Sequence, residues 1–243
     1  MRVLLTGGSG FLGSHTAEEL VKRGHTVRAL VRKSSNVKAL EALGAELAFG
    51  VLEKGEGLDE ALREVDAVIH CAGVTKALTE DGFFEVNERA TQKLVDAARR
   101  AHGVERFVYV SSLEAIGPAP DGVIPDESFT PAPITYYGKS KLAGERAVHA
   151  AKDDLCTVVL RPTGIYGPRD TEILKFFQIA QRGVMPMIND AESSFTMVYG
   201  PDCARACVDA VEKDVPSGKT YFVTDGRIYH WGEAGRWFED AMG

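Results

Sequence analysis

Short β-rich apolar runs alternate with longer amphipathic stretches through the first half of the chain, the rhythm of repeated βα units and a parallel sheet. Strands are predicted at 2–6, 26–31, 46–49, 67–70, 106–111, 156–160 and 220–224, with helices filling most gaps. The clearest helix runs from Phe83 to His102. There Val86, Leu94, Val95 and Ala98 gather on one side while Arg89, Lys93, Arg99 and Arg100 gather elsewhere, so it is expected to cover one sheet face. Further helices are predicted from Phe11 to Arg23 and from Tyr136 to about Ala151. Two stretches break the rhythm. Between Gly117 and Thr135, Pro118, Pro120, Pro125, Pro131 and Pro133 block regular helix and predict a loop just after a strand's carboxyl end, where open α/β sheets bind ligands. From Gly167 to Ser194 a second irregular region is expected to contribute to a small substrate-facing subdomain.

Length and composition narrow the picture. At 243 residues, with 44% apolar and 26% charged residues, the chain suits one large α/β domain or a core with a small appendage, and not two independent domains. A net charge of -7 with dispersed basic residues gives a nucleic-acid surface no electrostatic footprint. No apolar run approaches the ~18 residues needed to cross a bilayer, so no membrane contact is expected. The strand-like Val3-Leu4-Leu5 follows a single Arg2, where a leader would need charged, apolar and cleavage regions. Cys71, Cys156, Cys203 and Cys207 form neither a CxxC pair nor a disulfide framework, a usage that suits a reducing cytoplasm. Cys203 and Cys207 are spaced to share a metal or to pack as small helix residues. No cluster of further ligands completes a metal site, so packing is the reading and no metal is expected.

The first strand runs into Thr6-Gly7-Gly8-Ser9-Gly10-Phe11-Leu12-Gly13, glycines spaced GxxGxxG at the start of a helix. Gly7 permits a tight turn, Gly10 lets backbone approach a pyrophosphate, and Gly13 lets the helix pack closely on its strand, while the helix N-terminus at Phe11 and Leu12 offers free N–H groups. A plain βα turn uses glycine too, but strand, loop, helix and position agree on a dinucleotide. Residues 1–165, with the late strand near 220–224, are therefore expected to form the dinucleotide-binding core, and 166–243 a partial substrate-binding region. About 20 residues on, where an acid would serve the ribose of NAD, the second strand ends in Val31-Arg32-Lys33-Ser34-Ser35 with no acid. Arg32, with Lys33 and Ser34, suits a 2′-phosphate and favours NADP(H) over NAD(H). A solvated basic turn is the bland alternative.

Tyr136-Tyr137-Gly138-Lys139-Ser140-Lys141 opens a predicted helix on which Tyr137 has a lysine one turn on and Tyr136 does not. A lysine ammonium there is expected to lower the phenol's pKa and to reach a ribose hydroxyl. The strand before it ends in Ser111-Ser112, hydroxyls placed to donate to a substrate carbonyl or to cap the following turn. Glycine loop, serine-ended strand and YxxxK stand in the order a hydride-transfer site requires.

With these motifs, and with His70-Cys71-Ala72-Gly73, Asn87 in VNERATQKLVDAA and RPTGIYGP at 161–168, the whole chain resembles the extended short-chain dehydrogenase/reductases, specifically the NAD(P)-dependent epimerase/dehydratase and dihydroflavonol-reductase-like members. The resemblance implies a Rossmann-type doubly wound parallel sheet and a catalytic triad of Ser112, Tyr137 and Lys141. Ala72, Gly73, Ser111 and the Pro162, Thr163 and Ile165 stretch would then line the cofactor. Val51-Leu52 stands where the family commonly has Asp-Leu or Asp-Ile, so an adenine contact there is backbone or apolar. Glu114 matches an acid of the family's sugar dehydratases, but Leu113 replaces their aspartate. A typical member continues several dozen residues further, implying either a shortened substrate lid or a natural chain longer than this sequence. The expected partner is a small molecule, with a homodimer through the helices near 83–102 and 136–152 suggested by the same resemblance.

The leading expectation is NADP(H)-dependent reduction of a ketone or aldehyde, or oxidation of the alcohol. A sugar-nucleotide epimerase holding NAD and a non-catalytic dinucleotide sensor are the competing readings. Lys76, Glu114, Tyr166 and Arg169 are further candidates for the pocket or for ordinary surface.

Overall fold

The computed structural model describes residues 1–120, 122–180 and 193–233. Its elements run β1 (Arg2–Thr6), α1 (Phe11–Lys22), β2 (Thr26–Val31), α2 (Lys38–Ala42), β3 (Glu46–Phe49), α3 (Leu58–Ala61), β4 (Ala67–His70), α4 (Glu80–Phe84), a π-helical turn (Glu85–Arg89), α5 (Ala90–Arg100), β5 (Arg106–Val110), α6 (Tyr136–His149) and β6 (Cys156–Pro162). There follow β7 (Gly164–Tyr166), α7 (Glu172–Ala180), β8 (Ser194–Phe195), β9 (Met197–Tyr199), α8 (Gly200–Glu212), β10 (Lys219–Val223) and β11 (Tyr229–His230).

Seven strands form one sheet in the order β10-β6-β5-β4-β1-β2-β3, every pair parallel. This is the doubly wound arrangement, reversing direction between β1 and β4. Because side chains alternate along a strand, neighbouring residues feed opposite cores. Val3 and Leu5, Ala29 and Val31, Ile69, Val108 and Val110 pack with α1 and α8, whereas Leu4, Leu30, Val68, Phe107 and Tyr109 pack with α3 and α5. Cys203 and Cys207 are buried packing residues of α8, as their spacing allows. Since all seven strands point the same way, their carboxyl ends share one edge, and the loops and helices that follow β1 to β6 carry the residues nominated from sequence.

The predicted strands match to within two residues, with small corrections. β5 stops at Val110 instead of Ser111, β6 extends through Pro162, and β10 covers Lys219–Val223. The long helix is the larger correction. It starts at Glu80, where the Thr79 hydroxyl accepts from Gly82 N, and ends at Arg100, and it is interrupted by the π-helical turn. The wider π turn moves Asn87 into the interior, fully buried, and leaves Val86 only half-buried. Amphipathic counting at a constant period misses such a shift. The 117–135 segment is irregular where described, and Gly167–Ser194 contains α7; residues 181–192 and 234–243 lie outside the described residues.

Candidate active site

The glycine loop is shaped by close approach. Gly7 has φ 73° and a Cβ there would sit 2.7 Å from Ala72 N, so the loop and the segment after β4 touch backbone to backbone. A Cβ on Gly13 would lie 2.1 Å from Gly7 O. Gly10 N donates to Gly7 O at 2.9 Å and Gly10 is the N-cap of α1, a position with no side chain to cover the first-turn amides. Beside this turn lies a cavity of about 290 Å³ lined by Gly8, Ser9, Gly10, Phe11 and Ser14, with Asn36, Lys38 and Arg169. A backbone cradle, a helix N-terminus and two cations together fit a dinucleotide's phosphates. A larger groove, about 470 Å³ between α8 and β10, holds none of the nominated residues.

At the end of β2, Arg32, Lys33 and Ser34 are exposed. The acid missing from that stretch arrives from elsewhere: Glu53, in the short 3-10 turn Leu52–Lys54, accepts from Arg32 Nη2 at 2.5 Å. Val51 bridges to Glu56 and is half-buried, while the Leu52 side chain packs on the core and so turns away from solvent.

At the end of β5, Ser112 is the N-cap of the turn Leu113–Ala115, its Oγ accepting from Glu114 N at 3.2 Å. The same hydroxyl is close enough to Tyr137 to pull its pKa down, so capping the turn does not take Ser112 away from the phenol. Ser111 differs. It is buried and its hydroxyl donates to Glu145 Oε1 at 2.5 Å, committing that side chain to the interior. Tyr137 lies in the first turn of α6, which begins where the Thr135 hydroxyl accepts from Gly138 N at 2.9 Å. Tyr136 is exposed with Lys139 over its ring at 5.7 Å, whereas Tyr137 is half-buried with its ring 6.4 Å from that of Phe83.

Lys141 is buried, its Nζ donating to Val110 O at 2.6 Å and lying 4.3 Å from the centre of the Tyr109 ring. Burial pulls its pKa down to about 8, against the opposing pull of the Glu145 carboxylate. A Cβ on Gly73 would lie 3.5 Å from that ammonium and 2.9 Å from Asn87 Oδ1, so the segment after β4 and Lys141 are neighbours. The expected acidification of Tyr137 does not occur. Burial raises its pKa, the Ser112 hydrogen bond opposes this, and the Glu114 charge adds to the rise. The ammonium is spent on Val110 O and the Tyr109 ring, and the phenol stays protonated at neutral pH.

Beneath these groups lie residues that sequence reasoning missed. Ala72 N donates to the Thr6 hydroxyl at 3.2 Å, Thr6 Oγ meets His70 Nδ1 at 2.6 Å, His70 Nε2 meets Thr91 Oγ at 3.0 Å, and Thr91 donates to Asn87 O at 2.9 Å. Because Thr91 donates to Asn87 O, it accepts from His70, so Nε2 carries a proton, and in the neutral ring Nδ1 accepts from Thr6. Burial, with the Lys141 charge, pulls the His70 pKa down to about 3, which keeps it so. Asn87 accepts from Val74 N at 2.9 Å and donates to Val74 O and Ser140 Oγ, both at 3.0 Å, fixing the loop after Gly73 against α6. Arg161 binds Glu145 through Nε at 2.9 Å and Nη2 at 2.6 Å, a forked pair almost wholly out of solvent. Polar residues in apolar runs, His70 in AVIH and Arg161 in VVLRP, were the available signal.

The remaining candidates divide. Pro162 is buried, Thr163 N donates to Val223 O at 3.1 Å, and Ile165 packs on the core as β7 pairs with β9. Lys76 pairs with Glu172, Glu114 accepts from Thr135 Oγ at 2.9 Å, and the Tyr166 ring lies tilted 5.6 Å from that of Tyr199. Arg169 turns to α1 beside the glycine loop.

Among the described residues no helix is long and apolar enough to cross a membrane, and no cluster could hold a metal ion. The chain is 36% identical over 207 residues to a ceramide reductase of Caulobacter vibrioides, covering 85% of this chain and 59% of that protein. It is 32% identical to a 4-hydroxy-2-methyl-3-oxo-4-farnesyl-3,4-dihydroquinoline-1-oxide ketoreductase of Stigmatella aurantiaca, covering 93% of this chain and 69% of that one. Its fold superposes with a TM-score of 0.85 on the Thermus thermophilus UDP-glucose 4-epimerase in complex with NAD, at 29% identity over 100% of this chain and 84% of the other. The sequence pattern of the NAD dependent epimerase/dehydratase family matches residues 3–224. With glycine loop, serine-ended strand and YxxxK helix gathered on one sheet edge, the chain belongs to the NAD-dependent epimerase/dehydratase family.

Proposed function

We propose that this protein reduces a ketone or aldehyde with NADPH, and that Ser112, Tyr137 and Lys141 carry the chemistry. The observation that carries the reading is the gathering of Ser112, at the end of β5, with Tyr137, whose pKa it influences, and a buried Lys141 one helical turn on and next to Gly73. A bound reduced nicotinamide would supply the hydride. Tyr137, kept protonated by burial, donates the proton to the developing alkoxide, and Ser112 orients the carbonyl oxygen by a second hydrogen bond. Lys141, held by Val110 O beside Gly73, is assigned to a ribose hydroxyl of the cofactor. Ala72, Gly73, Pro162, Thr163 and Ile165 are assigned to the cofactor's nicotinamide half, and Gly7, Gly10, Phe11, Leu12 and Gly13 to its pyrophosphate. Tyr137→Phe is expected to lower turnover by about 10²- to 10⁴-fold while NADPH binding persists. Turnover within a few-fold of the parent would sink the mechanism.

Arg32, Lys33 and Ser34 support NADPH, with Lys38 as a fourth donor nearby on the cavity wall. Glu53 supports the second reading. Its carboxylate reaches the same turn and could serve a ribose 2′-hydroxyl, which suits NAD and the epimerase alternative. The ratio of NADPH to NADH dissociation constants decides between them. The two relatives described above are named for a ceramide and for a farnesyl-bearing ketone. Leu78 and Ile134, both exposed, flank the Gly73 loop and the start of α6, and support a carbonyl carried on an apolar molecule. Rates that fail to rise with the alkyl length of a ketone series would remove that part of the assignment.

A further inference from the structure

Arg169 is a sequence candidate whose surroundings no part of this mechanism explains. It follows β7 in Gly167-Pro168-Arg169, and its backbone has φ 74°, a left-handed conformation that an L residue adopts at a cost of about 1 kcal/mol or more. Strain of this kind persists where the surroundings over-determine it. Here three contacts do so. Nη1 donates to Glu18 Oε1 at 2.6 Å and Nη2 to Glu18 Oε2 at 2.7 Å, a forked pair, and Nη2 also reaches His15 Nδ1 at 2.5 Å. His15 Nε2 lies 2.9 Å from Pro168 O, so the ring carries its proton on Nε2, returns a hydrogen bond to the same segment and leaves Nδ1 to accept from the arginine. His15 is itself buried, its ring edge-on to Phe11 at 5.6 Å. The segment leading to α7 is thus tied to the helix that the glycine loop begins.

A tie between two elements does not require a cation on the cavity wall. Arg169 nevertheless lines the cavity beside the loop together with Gly8, Ser9 and Gly10. Glu18 and His15 do not exhaust the donors of a guanidinium, whose planar fork matches phosphate oxygens. The other cation lining that cavity, Lys38, comes from the β2 side. We propose that Arg169 is a diphosphate-binding residue, held by Glu18 and His15 so that it contacts the pyrophosphate of the dinucleotide alongside the glycine loop. This rests on the dinucleotide reading and adds a consequence to it: the segment running from β7 into α7 is recruited by the diphosphate, whichever nicotinamide dinucleotide is used.

The test is calorimetric titration of the full chain and its Arg169→Met variant with NADPH, NADH and ADP, with adenosine as a competitor lacking phosphate. Loss of charge-assisted hydrogen bonds should weaken NADPH, NADH and ADP alike by about 10- to 100-fold, leave adenosine unchanged, and flatten the salt dependence of ADP binding. ADP affinity within about threefold of the parent, or an equal loss for adenosine, overturns the proposal. Glu18→Gln separates binding from a purely structural tie, since it keeps the guanidinium while removing a carboxylate beside the diphosphate. It is expected to bind ADP at least as tightly as the parent. A loss matching that of Arg169→Met means the arginine only joins the two elements. Failure of the dinucleotide reading itself has a different signature: the unaltered chain binds neither NADPH nor NADH.

Discussion

The glycine loop and the Tyr137 helix lie on the same sheet edge and are built on opposite principles. At the loop the site consists of backbone, and the absence of side chains at Gly7 and Gly13 lets Ala72 and the start of α1 approach it. At the helix the site consists of buried side chains, each held by a partner from another element: Lys141 by Val110 O, Glu145 by Arg161 and Ser111, Asn87 by Val74 and Ser140. A backbone site is damaged by adding an atom. A side-chain site is damaged by removing a partner.

The contrast predicts where substitutions hurt most. Arg161→Met leaves the Glu145 carboxylate, 1% exposed, without its counter-charge, and should cost roughly 3–5 kcal/mol of stability. Denaturant midpoints give the number, and the double variant with Glu145→Leu should recover most of it. A double variant no more stable than the single would place the cost in packing and not in charge.

Next comes Lys141. Its folded pKa of about 8 lies below the ordinary 10.5, so between those values the unfolded chain holds a proton that the folded chain has released. Stability of the parent therefore rises with pH across that window, and below about pH 8 the buried ammonium is a full penalty. Lys141→Met should abolish turnover yet raise the stability at neutral pH by an amount on the order of 2–3 kcal/mol, seen as a higher melting temperature, with the advantage fading by about pH 10. Melts at both pH values check it; lower stability at both would mean that the Val110 and Tyr109 contacts outweigh desolvation.

Gly7→Ala probes the backbone site. Left-handed backbone costs an alanine roughly 1–2 kcal/mol, and the added Cβ must also displace Ala72. Thermal melts should show that loss, and titration should show weaker binding of NADPH and NADH to the same degree; unchanged affinity would break the distinction between the two kinds of site. The smallest effect is expected from Glu53→Gln. The Arg32–Glu53 pair is largely exposed on the arginine side and worth at most about 1 kcal/mol, so releasing Arg32 should shift the NADPH to NADH preference upward by less than about tenfold. An upward shift carried by weaker NADH binding, with NADPH affinity unchanged, would instead assign Glu53 to the ribose of NADH.

The two sites also differ in how far they could be read before any coordinates. TGGSGFLG is contiguous, and its meaning follows from the next residue along the chain, so strand, turn and helix were all predictable there. The choice of Tyr137 over Tyr136 was equally local, because one helical turn separates each from its test residue. By contrast Asn87 was quoted only as part of a family motif, with no role, since the π turn that buries it breaks the constant period on which helix reading depends. Arg32 was read as having no acid near it because Glu53 stands 21 positions away along the chain and reaches it only once β3 has paired with β2. The Tyr137 pKa was expected to fall; burial raises it, and burial is a property of what packs around the ring.

Strand positions, the glycine turn and the Tyr–Lys offset are encoded in spacings of a few residues, where covalent geometry alone limits the outcomes. The forked Arg161–Glu145 pair, the neutral His70 relay, the discharge-prone Lys141 and the placing of Arg169 against α1 were settled by packing. Charge and protonation in a low-dielectric interior depend on which distant atoms replace water, and those neighbours exist only after the chain has closed on itself.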